Sequence, residues 1–144
     1  MSPATRGYYF AGSIRAGRED VACYRRIITH LKRSGQILTE HVGDYSLSLT
    51  GQTELEDKFI HDRDLAWLRD SDLVVAETTR SSLGVGYEIA MATVYQIPVV
   101  ALHRPEESSL SAMIAGCPNV TVIEYRDLDD ALARLDKHLE QISG

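Results

Sequence analysis

The sequence predicts an α/β fold, a five-stranded parallel sheet with helices on both faces. Strand-like apolar runs alternate with longer segments of helical spacing, the order that builds such a sheet. One run, Leu73 to Ala76, is continuously apolar, as a strand covered on both faces must be. The chain has 144 residues, 44% hydrophobic and 25% charged, which suits one globular core and is short for two. A single domain over 1–144 is therefore expected, with no internal repeat or low-complexity segment.

The elements follow in order. Tyr8 to Ala11 reads as a first strand and Gly12 to Gly17 as the loop after it. From Glu19 to Ser34, Val21, Tyr24, Ile27, Ile28 and Leu31 recur at helical spacing, and Gly35 is the expected stop. Gln36 to Thr39 forms a short second strand. The stretch from His41 to Thr53 mixes Gly, Ser, Thr and Asp without period and reads as a loop. Asp57 to Asp70 is a helix carrying Phe59, Ile60, Trp67 and Leu68. After the strand at Leu73, a helix is expected over Ser82 to Tyr95. Strands at Pro98 to Leu102 and Val120 to Ile123 precede a closing amphipathic helix, Leu128 to Ile142, with Leu128, Leu132, Leu135 and Leu139 on one stripe.

Composition removes several functions. A net charge of −6 opposes a general nucleic-acid surface, which needs a basic face. The longest apolar stretch, Ile97 to Leu102, is far short of a membrane span, and the start lacks an apolar signal core. With two cysteines, Cys23 and Cys117, and no CxxC spacing, a reducing compartment is expected, cytoplasmic or nuclear; one long-range disulfide stays open. The five histidines form no HExxH and none pairs with a cysteine at metal spacing, and there is no GxSxG elbow. No metal or cofactor is expected.

Glu88 is the only carboxylate between Glu77 and Glu106, and it lies within the apolar run Gly84 to Tyr95. An ionised carboxylate on a buried face is costly unless it is paired or used. In open α/β sheets ligands settle at the carboxyl edge, where this helix would open. Asp64 shares the inward stripe of its own helix with Ile60, Trp67 and Leu68, while His61 and Asp62 face solvent. Alone, Asp64 reads as a partner for a buried arginine; beside Glu88, two inward acids favour catalysis. Of Tyr8 and Tyr9, alternation sends one to each face, and a hydroxyl aimed at Glu88 would satisfy a buried tyrosine.

Two loops supply groups suited to an anion. Gly12, Ser13, Ile14, Arg15 and Gly17 follow the first strand, combining approachable backbone N–H groups, a hydroxyl and a planar cation. The loop matches neither GxxxxGK[ST] nor GxGxxG, and an ordinary βα turn explains it equally. Ser82 is placed to cap the Glu88 helix, and the same free N–H groups near Gly84 could meet a phosphate. For Leu110 to Ile114 composition says little; Met113 and Ile114 read as packing residues.

Together, Tyr9 to Arg15, Gly17 to Asp20, Leu38 to Val42, Asp64 to Leu68, Ser82 to Glu88 and Leu110 to Ile114 resemble the 2′-deoxynucleoside 5′-monophosphate N-glycosidases of the nucleoside 2-deoxyribosyltransferase-like group. The match keeps chain order over most of the sequence. It implies a Rossmann-like (flavodoxin-like) sheet and hydrolysis of the N-glycosidic bond of deoxynucleoside 5′-monophosphates. It further implies Glu88 as nucleophile at C1′, Asp64 as the acid serving the leaving base, and Tyr9 as the hydroxyl orienting Glu88. Ser13, Ile14 and Arg15, with Ser82 and Gly84, match the phosphate cradle, and His41 a residue near the pocket mouth. Ser111, Ala112 and Met113 match a segment lent by a neighbouring subunit, which implies a homodimer. Ala11 stands where relatives carry cysteine, and the Gly43–Glu56 loop diverges. If Asp64 is to donate a proton, burial near a second carboxylate is what would raise its pKa.

Two rivals follow from the same residues: a deoxyribosyltransferase exchanging bases, and a catalytically silent flavodoxin-like nucleotide-binding module. The PGGxGTxxE signature of the cytokinin-processing phosphoribohydrolases is absent. Nothing in these residues selects the base.

Overall fold

The computed structural model describes residues 6–14, 17–39 and 56–143. Arg15, His41 and positions 43–55 of the expected loop lie outside the described residues. Strands β1 (Arg6–Ala11), β2 (Gly35–Ile37), β3 (Leu73–Glu77), β4 (Val99–His103) and β5 (Val120–Glu124) form one sheet. Its order is β2-β1-β3-β4-β5, and every pairing is parallel. Helices α1 (Arg18–Leu31), α2 (Asp57–Asp70), α3 (Leu83–Val94), α4 (Ala112–Ala115) and α5 (Leu128–Ser143) complete the fold. This is the flavodoxin-like doubly wound order, with its switch point between β1 and β3.

The two-residue period of the strands divides the core. Tyr8, Phe10, Leu73, Val75, Val100 and Leu102 pack against Tyr24, Ile27 and Leu31 of α1 and Leu132, Leu135 and Leu139 of α5. Tyr9, Ala11, Val74, Ala76, Val99 and Ala101 face the other way, onto Leu68 of α2 and Val85, Ile89 and Ala92 of α3. Tyr9 therefore lies on the α2–α3 face and Tyr8 on the opposite one, because successive side chains of a strand alternate.

Two local expectations change. Helix α1 ends at Leu31 with Lys32 as its cap, so Gly35 does not stop it. Gly35 instead opens β2, where an added Cβ would lie 2.5 Å from the Arg6 carbonyl oxygen. Strand β2 is shorter than the expected Gln36–Thr39 run. Beyond it, Thr39 Oγ1 accepts from the Phe10 backbone N–H at 3.2 Å, so a side chain takes over where the ladder stops. On α2, Phe59 is 55% exposed and forms a platform for Arg63.

Cys23 and Cys117 are free thiols on opposite faces of the sheet. Among the described residues no helix is long and apolar enough to cross a membrane.

Candidate active site

Because the sheet is parallel, the loops after β1, β3 and β4 gather at its carboxyl edge, and α2 and α3 stand side by side over one face. Ser82 caps α3, its Oγ accepting from the Val85 N–H at 3.2 Å. This satisfies one of the free N–H groups of the first turn. Glu88 follows within the same helix, on the side toward β1 and α2. Its Oε2 accepts a hydrogen bond from the hydroxyl of Tyr9, a residue that is 1% exposed. Asp64, one-quarter exposed at its side chain, comes from α2.

Electrostatics couples these residues. Burial pushes the Glu88 carboxyl from its ordinary range up to about 7; the Tyr9 hydroxyl pulls it back and the negative charge of Asp64 pushes it further up. Asp64 is oriented by its neighbour, Arg63, whose Nε donates to Oδ1 at 3.0 Å. The Arg63 guanidinium is clasped in turn, 4.8 Å from the centre of the Trp67 ring and 5.8 Å from that of Phe59. Asp64 thus has an arginine partner and its charge bears on Glu88. A carboxyl poised near neutrality, oriented by a hydroxyl and close to a second acid, can serve as nucleophile or as proton carrier.

The loop after β1 is tightly built. Ser13 is 4% exposed and its N–H donates to the Tyr24 hydroxyl at 3.2 Å, while Ile14 is 43% exposed. A Cβ on Gly12 would lie 3.0 Å from the Tyr24 ring and 3.1 Å from the Phe10 ring, so the turn is packed to the limit of a glycine. Gly17 is the N-cap position of α1 and stands in open space. Gly84 lies in the first turn of α3, where an added Cβ would rest 3.7 Å from Ser82 Oγ.

A groove of about 690 Å³ runs along α3 to α4, lined by Ser82, Val85, Ile89, Ser111, Met113 and Ile114, among others. Glu88 is not among its lining residues, so the groove and the acid pair occupy different flanks of α3. Ser111 Oγ accepts from the Met113 N–H at 3.2 Å and caps the single turn that begins at Ala112. Met113, read from composition as a packing residue, is 84% exposed instead. Leu83, Tyr87 and Val94 are exposed by 96%, 49% and 69%, so α3 turns an apolar flank outward beside Met113.

One cluster at this edge was not foreseen. Asp20 is buried, with Oδ2 accepting from Arg80 Nε and Oδ1 from Arg104 Nη2, both at 2.7 Å. Glu77, 1% exposed, accepts from the Thr79 N–H at 2.7 Å, the Thr79 hydroxyl at 3.1 Å and the Tyr125 hydroxyl. The sequence carried a signal for it: Glu77 terminates the apolar run Leu73 to Ala76, where a carboxylate must find buried donors.

A family model described as nucleoside 2-deoxyribosyltransferase matches residues 8–130. A 5-hydroxymethyl-dUMP N-hydrolase of Mus musculus is 54% identical over 110 residues, which are 75% of this chain and 64% of that protein. The chain thus spans just under two thirds of that relative's length. A protein of the same name from Esox lucius is 47% identical over 122 residues, 83% of this chain and 84% of that one. Among solved structures, the CMP N-glycosidase of Clostridium botulinum superposes with a TM-score of 0.68 at 15% identity, covering 92% of this chain and 99% of that one. At that identity the likeness is one of fold.

Proposed function

The chain belongs to the nucleoside 2-deoxyribosyltransferase family, and we propose that it hydrolyses the N-glycosidic bond of 2′-deoxynucleoside 5′-monophosphates to free base and 2-deoxyribose 5-phosphate. The observation that carries this reading is the Tyr9–Glu88 hydrogen bond beside Asp64. The relatives named as N-hydrolases of a deoxynucleoside monophosphate support the reaction class.

An N-glycosidic bond breaks through an oxocarbenium-like transition state, so positive charge at C1′ must be met and the departing base neutralised. Ionised Glu88 attacks C1′ as the C1′–N bond breaks, and the bond's electron pair leaves on the base nitrogen. The acid pair holds one proton near neutral pH; it passes to Asp64 as Glu88 ionises, and Asp64, held in orientation by Arg63, gives it to the base. Water then attacks C1′ of the resulting glycosyl ester and gives its proton to the Asp64 carboxylate as the bond to Glu88 breaks, with net retention. The scheme parallels that of two-carboxylate retaining glycosidases. A sugar without a 2′-hydroxyl ionises more easily, which favours the deoxy substrate.

The 5′-phosphate is assigned to Ser13, Ile14, Arg15, Gly12 and Gly17 on one side and Ser82 and Gly84 on the other. The helix N-terminus at Ser82 offers N–H groups and a positive dipole end for it. His41 is assigned to the mouth of the pocket. We assign Ser111, Ala112 and Met113 to the site of a second copy of the chain in a homodimer. The outward apolar flank of α3, Leu83, Tyr87 and Val94, with Met113 beside it, supports that assembly, since neighbouring exposed apolar side chains mark a surface that a partner covers. The chain acts as one domain, with the cytoplasm or nucleus as its compartment.

The test is a panel of deoxynucleoside 5′-monophosphates, 5-hydroxymethyl-dUMP included, assayed for released base. The corresponding nucleosides and ribonucleotides serve as controls, and an acceptor base is added to reveal transfer. Base release confined to deoxynucleotides is the expected result; base exchange without net hydrolysis would make the chain a transferase. Leu83→Glu with Val94→Glu is expected to give monomers by light scattering and to lower activity by at least about tenfold, as loss of a donated segment would.

A further inference from the structure

We propose that Asp20 is a positioning residue for the phosphate side of the site, holding the start of α1 and the two loops after β3 and β4 in one geometry. The proposal deepens the function assigned above and rests on its phosphate reading.

Asp20 lies in the first turn of α1, three positions after Gly17, where the loop carrying Ser13 and Ile14 enters the helix. Its two carboxylate oxygens serve two different guanidinium groups. Oδ2 takes Arg80, which stands two residues before the Ser82 cap of α3; Oδ1 takes Arg104, which follows β4. Each bond is 2.7 Å long and the Asp20 side chain is only 3% exposed. A single buried anion thus ties together the segments on either side of the proposed phosphate.

The neighbouring contacts show why the tie is directional. Arg104 gives its backbone N–H to Thr79 Oγ1 at 3.0 Å, and Thr79 is held from beneath by Glu77. Ser108 Oγ donates to the Thr79 carbonyl at 2.6 Å. Residues 78–80 are therefore fixed through Thr79 from the core and through Arg80 from α1, and the only way from there to Ser82 is one residue of chain. A phosphate held by backbone N–H groups needs them placed to a few tenths of an ångström, and charge-assisted bonds to a carboxylate supply such stiffness. Asparagine at this position keeps the size but leaves one acceptor for two cations and turns an N–H₂ toward one of them.

The experiment compares wild type and Asp20→Asn on a deoxynucleoside 5′-monophosphate and on its nucleoside, with inorganic phosphate as a competitive probe. The expected result is a rise in KM for the monophosphate of about tenfold, kcat within about threefold, nucleoside turnover unchanged and weaker inhibition by phosphate. A merely structural bridge would lower the melting temperature and leave the monophosphate-to-nucleoside ratio and phosphate inhibition as in wild type; that result overturns the proposal. If Asp20→Asn does not fold, Arg80→Ala decides, since the Arg80 side chain is 57% exposed. A monophosphate-specific rise in KM there supports the proposal, and an unchanged ratio overturns it. Wild-type protein that treats nucleoside and monophosphate alike would overturn the phosphate reading itself, and this inference with it.

Discussion

The hydroxyl of Tyr9, near the middle of β1, donates to Oε2 of Glu88, a residue 79 positions later on α3. Strand and helix meet there because alternation along β1 turns Tyr9 to the α2–α3 face. The hydrogen bond favours the ionised carboxylate, against burial and the Asp64 charge, both of which favour the protonated form.

Tyr9→Phe removes the one contribution that lowers the Glu88 pKa. The pKa should therefore climb above about 7, and the acid limb of the kcat/KM profile should move to higher pH. At neutral pH the rate should fall by about 10- to 100-fold, in the range of a lost positioning or proton-handling group. A pH–rate profile superimposable on wild type would remove Tyr9 from the mechanism.

Glu88→Gln should abolish base release while nucleotide binding by calorimetry persists. It should also stabilise the fold under neutral to alkaline conditions. The folded carboxyl titrates near 7, above its ordinary 4.5, so between these values the unfolded chain has released a proton that the native state still holds. Stability therefore falls as pH rises through that window and is lowest above it. Glutamine, which never ionises, escapes the cost of burying a charge, on the order of 3 kcal/mol. Thermal melts should show the variant several degrees above wild type at pH 8 and level with it near pH 4; a gain of the same size at both pH values would exclude the linkage.

Asp64→Asn should lower kcat by about 10²–10⁴-fold for substrates whose base leaves poorly, the usual worth of general acid help. A substrate with an activated base, able to depart as a stable anion, should lose far less. Equal losses on both substrates would assign Asp64 to binding instead. Arg63 stays in place in this variant and can still meet the amide oxygen, so stability should change little.

Gly35→Ala tests the packing of β2 on β1. The added Cβ would lie 2.5 Å from the Arg6 carbonyl oxygen and 2.6 Å from the Tyr8 ring. The backbone atom cannot yield, so a loss of about 2–4 kcal/mol in urea unfolding is expected. A loss below about 0.5 kcal/mol would mean that the edge strand moves freely.

Periodicity made the helices and strands legible in the sequence, because each core face imposes its own spacing on apolar residues. It even separated Asp64 from exposed His61 and Asp62 on α2. It failed where a residue's role depends on a distant neighbour. Gly35 looked like a helix stop, yet the Arg6 backbone is what demands glycine there. Met113 looked like a packing residue and is exposed, because nothing among the described residues covers α4 at that point.

The sequence by itself determined the order of elements apart from the one-turn α4, the sheet and the two inward acids, since these follow from hydrophobic pattern and from the cost of burying a lone carboxylate. Alternation left open which of Tyr8 and Tyr9 meets Glu88, and the family resemblance named Tyr9; only the tertiary structure decided that Arg63 orients Asp64 and that Asp20 joins Arg80 to Arg104. The reason is physical: burial pattern is written locally along a chain, whereas hydrogen bonds and charge pairs across a sheet edge depend on which strands become neighbours.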